Sequence, residues 1–248
     1  MITLNELDLG SKKYTSNIFF GLAETKEEIE QVYNLRYSVY SKKEYIFSEK
    51  YPNKKETDEY DLNNQSIYFI ARYNNEIFAC IRLIRSNPLP TQVIYTFNEP
   101  LELINTPTQY KVELGRFIIT KPNNLNLFFP RGIVLIFLFL TIMQYCKQNH
   151  YVGGYAFIKQ SLEKKMSKLK IPFYKIIYHT KNINRQDVLY KYFTQKEDPV
   201  MPVFFLETQF SKYINKIIGN NFIILRKRDG LYKLRYIVYN ILMKLLSY

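Results

Sequence analysis

Apolar positions change their period several times along the chain, and each change marks an expected element. Thr25-Lys26-Glu27-Glu28 has the form of a capping box, and Ile29, Val32, Tyr33, Leu35 and Val39 follow it near helical spacing. This predicts a helix through about Tyr40. Residues 41–65 are polar and turn-rich, include Tyr51-Pro52-Asn53, and are expected to form a long ordered loop. Three runs at 66–73, 76–85 and 111–120 are rich in β-branched and aromatic residues and predict strands. Asn74-Asn75 between the first two is a hairpin signal, because Asn tolerates the positive φ such turns need. The apolar block at 132–148 predicts a buried helix and 151–158 the next strand. Residues 159–170 form an amphipathic helical pattern, with strands expected at 173–179 and near 203–207. In the tail from 226 to 248, Arg226-Lys227-Arg228 precedes Leu231, Leu234, Val238, Ile241 or Leu242 and Leu245 on one helical face.

This order implies an α/β (α+β) protein with a single mixed sheet flanked by helices, rather than a doubly wound one. The expected organisation is one domain over 1–210 and a basic helical extension over 211–248. At 248 residues, 47% hydrophobic and 23% charged, the chain can bury a full core and is not of a disordered type. The formal charge of +13 favours an acidic partner, although Lys and Asn are abundant throughout, as AT-rich coding DNA would give. Cys80 and Cys146 sit in apolar runs and read as small core residues. His150 and His179 are isolated, so no metal site is expected. The first ten residues show no export pattern, and the apolar run at 133–143 is too short to span a bilayer. A cytoplasmic protein is expected, with the basic tail able to pack on the domain or to lie on a membrane surface.

Candidate chemistry comes from charges inside apolar runs. Arg82 interrupts Phe78-Ala79-Cys80-Ile81-Arg82-Leu83-Ile84, and Glu113 and Arg116 interrupt Val112-Glu113-Leu114-Gly115-Arg116-Phe117-Ile118-Ile119. Buried charges are costly unless paired, so an ionic cluster is expected, with Asp58 and Asp61 of Glu56-Thr57-Asp58-Glu59-Tyr60-Asp61 as partners. Residues three apart on a regular strand point to opposite faces. A bulge at Gly115 would bring Glu113 and Arg116 onto one face and open a slot between strands.

Leu35-Arg36-Tyr37-Ser38-Val39-Tyr40, the Glu56–Asp61 stretch, Ile81-Arg82-Leu83-Ile84, Phe97 and Glu113-Leu114-Gly115-Arg116-Phe117 occur in order. The series resembles the acyl-homoserine-lactone (autoinducer) synthases and their relatives, the N-acyl amino acid synthases and exosortase-associated acyltransferases. All of these are similar to GNAT-fold N-acyltransferases. The likeness covers about residues 18–180, and Tyr51-Pro52-Asn53 with Asp58-Glu59-Tyr60-Asp61 looks more like the N-acyl amino acid and exosortase-associated branch. Autoinducer synthases typically carry a Trp where this chain reads Glu44-Tyr45-Ile46-Phe47, with Tyr45 or Phe47 as the aromatic substitute. The missing Trp points away from S-adenosylmethionine as amine donor.

The resemblance implies transfer of a fatty acyl group from an acyl carrier protein thioester to a small amine, most simply an amino acid. No tightly bound cofactor is implied; the donor is the acyl-phosphopantetheine of an acidic carrier, steered by the basic surface. A Gly-rich loop for a coenzyme A pyrophosphate is missing, and Phe129-Pro130-Arg131-Gly132 is the nearest equivalent. A mechanism of direct amine attack on the thioester, with burial in an apolar strand raising the pKa of Glu113 toward neutrality, assigns the expected roles. Glu113 is the base and Arg116 its catalytic companion, with Arg82 and Arg116 pairing with Glu113 and the Asp residues. Arg36 and Tyr40 meet the amine, Arg36 clamping an amino acid carboxylate. Tyr45, Phe47, Asp58, Asp61, Arg82 and Phe97 complete the substrate-binding set. Two other readings are an S-adenosylmethionine-dependent lactone synthase and a non-catalytic nucleic-acid binder. The second is disfavoured because the charges form no stripe and most aromatics lie in core-like runs.

Overall fold

In a computed structural model, which describes residues 1–9, 17–123, 131–219 and 224–235, the chain begins with a pair of strands, β1 (Ile2–Asp8) and β2 (Asn17–Leu22). The helix α1 (Lys26–Lys42) follows, then the single-turn α2 (Glu59–Leu62) and the hairpin β3 (Ser66–Tyr73) and β4 (Glu76–Ile84). A short helix α3 (Pro90–Ile94) leads into β5 (Tyr95–Phe97) and on to β6 (Lys111–Ile119). Next come α4 (Arg131–Gln148), β7 (Gly153–Lys159), α5 (Gln160–Lys168), β8 (Tyr174–Lys175) and β9 (Tyr178–Lys181). The chain continues with α6 (Tyr190–Thr194), β10 (Val200–Leu206), α7 (Glu207–Ile218), β11 (Ile224–Arg228) and β12 (Leu231–Leu234).

Ten strands form one mixed sheet in the order β11-β12-β1-β2-β3-β4-β6-β7-β10-β8, and β5 pairs with β9 in a separate two-stranded sheet. A single mixed sheet flanked by helices was the expected class. The β6–β7 pair is parallel, as α4 between them requires, since a parallel return needs a crossover. Helix α4 is apolar on nearly every side because it is buried between the sheet and α7, joining Phe20, Phe69, Leu114, Phe205 and Phe210 in the main core. No helix among the described residues is long and apolar enough to cross a membrane.

Helix α1 covers the other face. Thr25 caps it, accepting from the Glu28 N–H at 3.2 Å, while the Glu28 carboxylate accepts from the Thr25 N–H at 3.3 Å. Its buried residues, Glu28, Val32, Arg36 and Tyr40, recur every four positions, so one stripe of α1 lies on β4 and β6. Arg36 belongs to that stripe.

Several elements depart from expectation. The opening strands β1 and β2 had no assignment from pattern, and the tract at 41–65 contains α2 rather than loop alone. Helix was expected from 226 onward, but Arg226, Leu231 and Leu234 lie in the hairpin of β11 and β12, and β12 pairs with β1 in parallel. The reason is local. Asp229-Gly230 closes a two-residue turn with Gly230 at φ +73°, and alternation then buries Tyr232 and Leu234 beneath α4. The rest of the expected tail helix, 236–248, lies outside the described residues.

Candidate active site

Strand β6 is bulged. Against β4 its register runs Ile118 to Cys80 and then Gly115 to Arg82, so β6 spends one residue more than β4 over the same span. Arg116 takes up the extra length at φ +55°, a left-handed conformation that costs a side-chain-bearing residue roughly 1–3 kcal/mol. Its carbonyl, turned out of the ladder, accepts from Cys80 Sγ at 3.7 Å. The expected bulge is therefore present, although the strained residue is Arg116 rather than Gly115. What holds Arg116 there is its guanidinium, which donates to Glu56 at 2.8 Å and Asp58 at 2.7 Å.

The floor is an ionic network of three guanidiniums and three carboxylates. Arg36 donates to Glu56 through Nε and to Asp61 at 2.8 Å through an Nη. Arg82 donates to both oxygens of Asp58 at 2.7 Å and to Asp61 at 2.7 Å. Asp61 also accepts from Tyr68 at 2.7 Å and Ser66 at 2.9 Å. The spacing of Asp58 and Asp61 has a local cause: Asp58 caps α2 while Asp61 accepts from its backbone N–H at 3.0 Å. Burial alone would raise Glu56, Asp58 and Asp61, but the guanidiniums of Arg36, Arg82 and Arg116 outweigh it and hold all three below ordinary carboxylate values.

Glu113 stands apart from this network. It was expected to pair with Arg82 and Arg116, and it does not; their partners are Glu56, Asp58 and Asp61. The physical reason is Glu56, a fully buried carboxylate that takes Arg36 and Arg116 together and was absent from the expected site residues. Glu113 is 1% exposed and accepts from the Thr91 N–H of α3 at 2.7 Å, while its other oxygen has no hydrogen-bond partner. Burial, opposed only in part by that bond and by Arg82, pushes its carboxyl up to about 8. Tyr60, Tyr95 and Tyr155 sense its charge, and Phe97 packs on Tyr155 with ring centroids 5.6 Å apart.

Beside the network, β6 and β7 pair only from Lys111 to Leu114 and from Gly153 to Ala156, then part. The gap is a cavity of about 410 Å³. Gly115, Arg116 and Phe117 line one side and Ala156, Phe157 and Lys159 the other. Leu135, Phe139, Leu162, Met166 and Phe173 form an apolar end, Tyr40, Tyr45, Leu189 and Tyr192 an aromatic end, and Lys43, Arg131 and Lys165 are exposed at its edges. A Cβ added to Gly115 would meet no heavy atom within 4 Å. That position is open space over the bulge. Arg131 and Gly132 of the expected phosphate loop line this cavity, while Phe129 and Pro130 lie outside the described residues.

Of the expected residues, Tyr40 and Tyr45 as substrate contacts and Arg116 as catalytic residue line the cavity, and Glu113 is not among its lining. Phe47 does not line the cavity; Lys50 and Lys191 lie over its ring instead, so of these two aromatics Tyr45 is the one that reaches it. Asp58, Asp61 and Arg82 form the floor behind Arg116, and Phe97 lies on the Glu113 side. Arg36 as a clamp for a substrate carboxylate is corrected: it is 0% exposed, and two protein carboxylates already hold it.

Comparison with known proteins places the chain in a family. The autoinducer synthase family model matches residues 22–198. The acyl-homoserine-lactone synthase of Dickeya dadantii (strain 3937) is 29% identical over 101 residues, 41% of this chain and 47% of that protein. The synthase of Dickeya chrysanthemi is 27% identical over the same length, so the match spans about half of these curated relatives. Among solved structures, the acyl-homoserine-lactone synthase LasI aligns with a TM-score of 0.50 at 15% identity, over 77% of this chain and 89% of that one. FeeM, an N-acyl amino acid synthase from uncultured soil microbes, aligns with a TM-score of 0.54 at 12% identity, over 79% and 93%. The CoA-dependent acyl-homoserine lactone synthase MesI gives 0.54 at 13% identity, over 86% and 98%, and at such identities these structures show a shared fold. The chain belongs to the autoinducer synthase family.

Proposed function

We propose that this protein is an N-acyltransferase that moves a fatty acyl group from an acyl carrier protein thioester to the amine of a small amino acid. The observation that carries the reading is the cavity where β6 and β7 part, in a chain whose residues 22–198 match the autoinducer synthase family. A cavity of about 410 Å³ with an apolar end suits an acyl chain threaded between two parted strands. Exposed Lys43, Arg131 and Lys165 at its edges suit the phosphate of a pantetheine arm and an acidic carrier.

In this reading the thioester carbonyl lies over the bulge at Gly115, where no side chain competes for space. Backbone N–H groups released by the bulge would stabilise the oxyanion, an effect worth roughly 3–4 kcal/mol per donor in known cases. The incoming nitrogen must lose a proton before it attacks. Glu113, with its carboxyl near 8, takes that proton through a water and passes it to the departing thiolate. Ionised again, it takes the second proton that the nitrogen sheds on becoming an amide and releases it to solvent; the network supplies a rigid, neutral floor. The nitrogen–acyl bond forms as the carbon–sulfur bond breaks, giving an amide and the free carrier thiol.

A second reading is lactone synthesis from S-adenosylmethionine, favoured by the Dickeya relatives, which are acyl-homoserine-lactone synthases. Purified protein given octanoyl-carrier protein or octanoyl-CoA, with either the twenty L-amino acids or S-adenosylmethionine, separates them by mass spectrometry. The expected product is an octanoyl amino acid formed preferentially from the carrier thioester. Acyl-homoserine lactone as the sole product would replace this reading with the second, and preference for octanoyl-CoA would overturn the donor.

A further inference from the structure

The three arginines of the floor cannot recognise an anion, because three carboxylates already neutralise them. One cation in the cavity wall is different. Lys159, the last residue of β7, lines the cavity and is 5% exposed. Among the described residues its amine makes no ion pair within 4.0 Å; Asp198 and Glu197 act on it only from farther away, and Asp198 is bonded to Ser161. The amine donates to the Tyr192 carbonyl at 2.6 Å and lies over the rings of Tyr192 at 4.4 Å and Tyr45 at 5.2 Å. An ammonium has three donors, and this contact uses one of them.

The same residues mark the end of the cavity nearest Arg116. Tyr40 and Tyr45 pack edge to face at 5.7 Å, Tyr45 and Tyr192 at 5.0 Å, and Arg116 lies 5.8 Å from the Tyr40 ring. Burial, with Lys181 nearby, lowers the Lys159 amine to about 8, so a buried cation here is under-compensated by the protein itself. A ligand anion would supply what the fold leaves out.

We propose that Lys159 is the specificity-determining residue that binds the carboxylate of the acceptor amino acid, within an aromatic cage of Tyr40, Tyr45 and Tyr192. The assignment rests on the N-acyltransferase reading above and gives the carboxylate contact that Arg36 cannot make. The pantetheine phosphate is the other anion that could reach this cavity, and the two sources make opposite predictions.

The test uses the full-length protein, its Lys159→Met and Lys159→Arg variants, and two acceptor pools: the twenty L-amino acids, and their decarboxylated amines including tyramine and phenethylamine. Octanoyl-pantetheine and octanoyl-phosphopantetheine serve as donors, with products quantified by mass spectrometry. Lys159→Met is expected to shift the ratio of acyl amino acid to acyl amine at least about 10-fold toward the amine, as loss of a charge-assisted contact implies. Lys159→Arg is expected to restore most of the ratio, and the preference between donors should not change. An unchanged ratio, or an equal fall with both pools, overturns the proposal. So does a Lys159→Met defect confined to the phosphorylated donor, which would assign the amine to the phosphate. Wild-type protein that acylates neither pool removes the N-acyltransferase reading itself, a result distinct from any change in ratio.

Discussion

Glu56 sets the electrostatics of the whole floor. Its carboxylate is 0% exposed and bonds Arg36 and Arg116 together, so three positive and three negative groups balance. Removing one member leaves an uncompensated buried charge, which is worse than never having built the pair. Glu56→Gln should therefore destabilise the protein by about 3–5 kcal/mol in urea unfolding, far more than an exposed Glu49→Gln control. A change below about 1 kcal/mol would mean that Arg36 and Arg116 find other partners. The sequence made Arg82, Glu113 and Arg116 visible because each interrupts an apolar run. Arg36 and Glu56 were harder to read. Arg36 hides among alternating polar residues and shows itself only when Glu28, Val32, Arg36 and Tyr40 are taken as one stripe. Glu56 lies in a polar tract, with no local cue that the tract folds inward.

At the scale of elements, the decisive feature is the parting of β6 from β7 just beyond the bulge. Gly115 marks the place, and its backbone is not left-handed, so it is not required for conformational reasons. With no heavy atom within 4 Å of an added Cβ, Gly115→Val should fold with stability within about 1 kcal/mol of wild type. It should also lose acyl transfer by at least about 100-fold, because the new side chain would occupy the space given to the thioester. Retained turnover with octanoyl-carrier protein would place the reacting carbonyl elsewhere. The glycine and the odd, three-residue spacing of Glu113 and Arg116 were enough to anticipate the bulge. The opposite failure occurs at the C-terminal hairpin. Leu231 and Leu234 fit a helical spacing while Tyr232 and Leu234 fit a strand one, and only the Asp229-Gly230 turn distinguishes them. The opening strands were missed because β1 reads as mixed polar and apolar, its outer face lying open beside β12.

For the molecule as a whole, the sequence predicts the mixed sheet well because its central strands are long, apolar and bounded by turns. Sheet order and the distance between Glu113 and the network depend on tertiary packing, which periodicity does not encode. The consequence is a division of labour around one sheet: a neutral ionic floor beneath α1, a cavity between β6 and β7 lined from both faces, and a lone buried carboxyl. Arg116 touches the cavity, Asp58 joins Arg116 to Arg82, and Arg82 is the guanidinium that acts on Glu113. A base held near 8 must be ionised to accept a proton, so with the acceptor saturating, which keeps the Lys159 contact formed, activity should rise with pH through that value. The most direct measurement is the pH dependence of kcat/KM for wild type and Glu113→Gln with octanoyl-carrier protein and the acceptor that the product screen identifies. The account predicts a wild-type limb with an apparent pKa of about 8. In the variant that limb should vanish and the rate should fall by roughly 10²–10⁴-fold. A correctly folded Glu113→Gln protein with the wild-type rate and the same limb would contradict it.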